Sequence, residues 1–106
     1  MIADTPTPPY YAVIFTSKRS DVSDDYSKMA DRMVELAGQE EGFLGVESVR
    51  EEYGITVSYW KDLESISRWK DNIEHKVARE RGREEWYLHF KVRVAKIERD
   101  YQFNKY

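Results

Sequence analysis

The sequence predicts a single α+β domain in which helices cover one face of a four-stranded antiparallel sheet. Three observations carry that expectation. Four stretches, starting at Tyr10, Gly42, Gly54 and Tyr87, are rich in β-branched and aromatic residues. Apolar residues at helical spacing lie between them, and 106 residues suit one core without a second independent unit.

Residues 1–9 hold all three prolines, at positions 6, 8 and 9, which fix backbone angles and offer no donors; an irregular N-terminal arm is expected there, ahead of one domain over 10–106. YYAVIFTS, from Tyr10 to Ser17, is apolar on both parities, the pattern of a central strand covered on both faces. Tyr26, Met29, Ala30, Met33, Leu36 and Ala37 then recur at helical spacing. Ser23 or Asp24 is placed to cap that helix, which ends before Gly42.

GFLGVESVRE (Gly42–Glu51) and GITVSYW (Gly54–Trp60) read as an antiparallel hairpin turning at EYG. Asp62 is set to cap a second helix, with Leu63, Ile66, Trp69, the Lys70 stem and Ile73 along its inner side. HKVARERGREEW is highly charged and interrupted by Gly82, as a broken or short helix crossing back over the sheet would be. The last run, YLHFKVRVAKIERDY, sets Leu88, Phe90, Val92 and Val94 on one side and His89, Lys91 and Arg93 on the other. Parity breaks at Val94 and Ala95, which suggests a bulge or strong twist.

The order is βαββ(α)αβ, a ferredoxin-like arrangement. Two helices cover only one face, yet strand 1 is apolar on both, so a homodimer through the sheet face is expected.

Composition narrows the chemistry. Fifteen aromatics (three Trp, eight Tyr, four Phe) are many for this length. A net charge of −3 provides no positive field for nucleic acid. The absence of cysteine removes disulfides, thiolate nucleophiles and cysteine-held metals. The first residues lack a basic region and a long apolar core, so a cytoplasmic protein without a membrane segment is expected. No Gly-rich phosphate loop or nucleophile elbow is found, and two histidines fourteen residues apart form no metal signature.

With Gly42, Phe43, Leu44 and Gly45 on one strand, Trp60 ending the next, Asp62 and Glu64 starting a helix and His75 near its end, the chain resembles the antibiotic biosynthesis monooxygenase (ABM) domains over roughly Tyr10–Tyr101. The resemblance implies a ferredoxin-like domain that pairs sheet to sheet into a dimeric α/β barrel. It implies a container whose members include cofactor-free oxygenases of aromatic polyketides, haem-degrading monooxygenases and domains without known activity. Many members place a histidine on the helix where this sequence has Trp69.

The candidate site residues follow. Trp69 and Trp60 either wall a pocket for a flat substrate or belong to the core. His75, at about 100° per residue, falls away from the Leu63, Ile66 and Ile73 stripe. It is a surface residue or, if the helix breaks near Asn72, a general base or an axial haem ligand. His89 and Arg93 stand on one side of the last strand; they hold a substrate phenolate or carboxylate, or form a cross-strand ion pair with Glu47 or another carboxylate.

The leading expectation is a monooxygenase-like protein that acts on or binds a small aromatic molecule between sheet and helices without a cofactor. In that reading a buried tyrosine is the alternative base to His75. A haem-binding, haem-degrading enzyme is the alternative, although YYAVIFTS lacks the strand asparagine that such members turn to the haem. A non-enzymatic dimeric binding or stress module is the third.

Overall fold

The computed structural model of the chain describes residues 2–19, 34–72 and 87–105. Strands β1 (Tyr10–Arg19), β2 (Phe43–Arg50), β3 (Tyr53–Trp60) and β4 (Tyr87–Ile97) form one sheet in the order β2-β3-β1-β4. Helix α1, described over 34–39, precedes β2, and helix α2 (Leu63–Asp71) follows β3. All neighbouring strands are antiparallel, so β1 and β2 run in the same direction with β3 between them, as in ferredoxin-like folds. The doubly apolar β1 is a central strand, as its pattern requires.

Register decides which side chains share a face, because paired residues of an antiparallel ladder point the same way and successive ones point oppositely. Four rows cross the sheet from β2 to β4 on one side: Phe43–Trp60–Tyr11–Lys96, Val46–Ser58–Val13–Val94, Ser48–Thr56–Phe15–Val92 and Arg50–Gly54–Ser17–Phe90. Trp60 and Val13 pack with Ala37 and Leu36 of α1 and with Ile66 and Trp69 of α2, so this is the helix side. The other side carries Gly45–Tyr59–Ala12–Ala95, Glu47–Val57–Ile14–Arg93 and Val49–Ile55–Thr16–Lys91, with His89 paired to Lys18 beyond them.

Three local expectations change. Of the bulge or strong twist expected at Val94 and Ala95, the bulge is absent, since both stay in register with Val13 and Ala12; the register irregularity lies where Arg19 meets Tyr87. Val94 merely turns to the helices and Ala95 away from them. The hairpin turns at Glu51 and Glu52, and Tyr53 already belongs to β3. Leu63 is 54% exposed, while Ser65 is buried on the inner side of α2. The cause is Gly42 at φ 93°, whose missing side chain lets the first turn of α2 approach the β2 entrance. Asp62 caps that turn as expected, accepting from Ser65 N at 2.7 Å and Ser65 Oγ at 2.7 Å.

The arm lies on the non-helix side. Ala3 N donates to Glu47 Oε2 at 2.9 Å, and Gly45 leaves the space that Ala3 fills. The α1 cap at Ser23 or Asp24 and its first apolar residues, Ile73, and the charged stretch around Gly82 lie outside the described residues. Among the described residues no helix is long and apolar enough to cross a membrane.

Candidate functional site

On the helix side the sheet divides into two ends. At one end Trp60 is 0% exposed and Trp69 9%, stacked with centroids 6.1 Å apart and planes at 28°. Phe43 meets Trp60 edge-on at 5.4 Å, and the Trp60 indole donates to Ser58 Oγ at 2.9 Å. Strand β3 ends in Trp60 and α2 lays Trp69 over it, so these two expected wall residues meet each other and form the core.

At the other end Arg50, the last residue of β2, folds inward across β3 and donates to Ser17 Oγ on β1. Gly54 makes that route possible: a Cβ there would stand 2.4 Å from Arg50 Cζ. Ser17 is buried, and its β4 partner Phe90 stacks on Phe15 at 5.5 Å and 26°. Beside that pair Val92 and Val94 point to the helix side yet stay 48% and 53% exposed. Between the two ends lie the small hydroxyls of Ser58, Thr56 and Ser48, with Ser48 Oγ 2.8 Å from Thr56 Oγ1.

The expected site set is thereby split. Trp60 and Trp69 lie on the helix side, whereas register puts His89 and Arg93 on the opposite side, both exposed. The four residues do not line one cavity within a chain, because two pleats of one strand carry the same parity all along it. Glu47, considered as a partner for Arg93, stands in the same cross-strand row but with Val57 and Ile14 between them, and it accepts from Tyr59 and Ala3 instead.

His75 lies outside the described residues. The chain does leave the helix just before it: Asn72 has ψ 131° and its N–H still bonds to Trp69 O at 3.1 Å. Helix α2 itself ends at Asp71, with Asn72 as its cap.

The described buried tyrosine Tyr10 and its half-buried neighbour Tyr59 belong to the non-helix side, edge to face at 5.9 Å. Tyr59 donates to Glu47 Oε1 at 2.8 Å, and burial first, then that bond, push its hydroxyl up to about 12. Burial and its bond to Asp100 raise Tyr10 as well, while the Thr5 hydroxyl lies 3.0 Å from its oxygen. Both are protonated at neutral pH and face away from the helices, so neither serves as a base on the helix side.

Among the described residues no histidine faces the helix side to ligate haem iron. The helix side of β1 presents Tyr11, Val13, Phe15 and Ser17, and the imidazole of His89 faces the other way. Among the described residues no three His, Cys, Asp or Glu side chains gather to hold a metal ion.

Sequence reasoning missed Arg50, Ser17 and the Phe15–Phe90 pair. Alternation counted from Phe43 places Arg50 on the opposite side from Phe43, but the ladder shifts between Phe43 and Gly45, so Leu44 is a bulge that reverses parity and brings Arg50 to the helix side. The two glycines of GFLG, the second of which seats Ala3, were the available signal for such an irregularity.

A family model described as antibiotic biosynthesis monooxygenase matches residues 9–81. YqjZ of Bacillus subtilis is 50% identical over 106 residues, spanning 98% of this chain and 93% of its own. Among solved structures, PA3566 from Pseudomonas aeruginosa is similar at TM-score 0.70 and 16% identity, covering 91% of this chain and 99% of that one. SnoaB from Streptomyces nogalater, described as a cofactor-independent oxygenase, is similar at TM-score 0.74 and 9% identity, covering 86% of this chain and 95% of its own. At these identities the structural likeness concerns the fold.

Proposed function

The chain belongs to the antibiotic biosynthesis monooxygenase family, and from that premise we propose that it binds a small aromatic molecule between sheet and helices. It oxidises that molecule with dioxygen without a bound cofactor, as a cytoplasmic homodimer. The observation that carries the reading is the half-exposed Val92 and Val94 on the helix side, next to the stacked Phe15–Phe90 pair. Accessible apolar surface beside stacked rings is what a planar ligand covers by burial and stacking. The fold shared with SnoaB is consistent with chemistry that needs only the substrate and oxygen.

In that chemistry the bound aromatic loses a proton and itself delivers electrons to dioxygen, so the protein has to bind it, accept the proton and exclude water. His75 is the base in this reading, because Tyr10 and Tyr59 are held protonated on the other side. Trp60 and Trp69 hold one end of the compartment rigid. His89 and Arg93 belong to the side that a second copy covers, where Tyr53, Ile55 and Val49 are exposed.

The test is oxygen uptake with a panel of hydroxynaphthalenes after chelation and exhaustive gel filtration. Protein-dependent uptake that survives metal and flavin removal and collapses in His75→Ala is expected. Uptake that returns only with added metal or flavin would count against the reading.

A further inference from the structure

We propose that Arg50 recognises an anionic group on the ligand, so that the molecule taken up on the helix side is an aromatic acid. This inference rests on the aromatic-ligand reading above and deepens it. Arg50 ends an edge strand, where a long cationic side chain ordinarily reaches water. Here it is half-buried and crosses β3 toward β1, donating to the buried Ser17 hydroxyl. A side chain at position 54 would block that path, and Gly54 leaves it open.

The guanidinium thus ends in the row Arg50–Gly54–Ser17–Phe90, one strand away from the Phe15–Phe90 stack, a step of about 5 Å. A fixed positive fork stands at the rim of an aromatic platform. The planar donors of a guanidinium match a carboxylate held by two parallel bonds. A ring lying on Phe15, Phe90, Val92 and Val94 would direct an acidic substituent toward Ser17 and Arg50. Ser17 serves as a positioning residue by fixing the guanidinium plane. Arg93, on the opposite side of the sheet, takes no part.

The experiment is equilibrium dialysis of the full chain at neutral pH against 2-naphthoate and the isosteric neutral 2-naphthamide. Wild type is compared with Arg50→Gln, Arg50→Lys, Gly54→Ala and Arg93→Gln, each confirmed folded by circular dichroism. Wild type should prefer naphthoate by roughly tenfold or more, as charge-assisted bonds do. Arg50→Gln should erase that preference while keeping naphthamide affinity, and Arg50→Lys should retain part of it. Gly54→Ala should weaken the preference by displacing an intact guanidinium, and Arg93→Gln should leave it unchanged.

A preference that persists in Arg50→Gln, or in Gly54→Ala should Arg50→Gln not fold, overturns the proposal. Binding of both probes without preference overturns it too and leaves the aromatic reading standing. Binding of neither by wild type overturns both.

Discussion

Gly42 and Ser65 stand so close that a Cβ on the glycine would lie 2.0 Å from Ser65 Oγ and 2.6 Å from Ser65 Cβ. The glycine also sits at φ 93°, where a side chain is strained whatever the space around it. This contact couples the entrance of β2 to the first turn of α2, and the Lys61 N–H closes it by bonding to Gly42 O at 2.7 Å. Gly42→Ala should lower the unfolding free energy by about 2 kcal/mol or more in urea melts. Adding Ser65→Gly should recover only the steric part. An unchanged midpoint in Gly42→Ala would show that α2 is not held this way.

Trp69→Ala removes a ring stacked on Trp60 and should cost about 3–5 kcal/mol, read from the same melts. A cost below about 1 kcal/mol, in the range of an ordinary surface substitution, would mean that Trp69 is ligand wall more than core.

Tyr59 supplies a pH signature. Its folded pKa, about 12, exceeds the ordinary value of 10.0, so native chains keep the proton where unfolded ones lose it. The stabilising contribution is therefore complete below pH 10 and fades as pH rises from there through about 12. Absorbance titration of tyrosinate should show a late component that Tyr59→Phe diminishes, with Tyr10 raised as well, and part of which Glu47→Gln moves to lower pH. A late component that loses no amplitude in Tyr59→Phe would refute the assignment.

Ile55 lies exposed on the side away from the helices, at the centre of the row Val49–Ile55–Thr16–Lys91. Ile55→Glu should convert a sedimenting dimer to monomer while sparing aromatic binding on the helix side, since charge at an apolar interface is unpaired. A wild-type monomer, or a variant dimer as tight as wild type, would rule out pairing through this side.

Hemin titration followed in the Soret region separates the two enzymatic readings. For the cofactor-free reading, no saturable shift at one haem per subunit is expected in wild type. A shift that is saturable and lost in His75→Ala would make His75 an axial ligand and put haem first.

Much of the architecture was legible along the chain. Tyr10–Ser17 reads as a central strand from apolar residues on both parities, and Asp62 as a cap from its place before Leu63. The site was less legible, because its parity depends on pairing. The bulge at Leu44 turns Arg50 to the helix side; the glycines of GFLG hint at an irregularity there, but only the ladder with β3 shows that parity reverses. Likewise His89 and Arg93 are readable as one side of β4, but only the ladder with β1 shows which side. Leu63 looked like a core residue by spacing; the Gly42–Ser65 contact rotates the start of α2 so that a serine is buried and the leucine is not.

The alternation of β1 has a practical corollary for engineering. Val13, Phe15 and Ser17 look toward the helices, and Ala12, Ile14 and Thr16 look away. Six consecutive positions of one strand thus provide two orthogonal libraries, one to retune what the compartment accepts and one to retune what the outer surface meets, each leaving the other untouched.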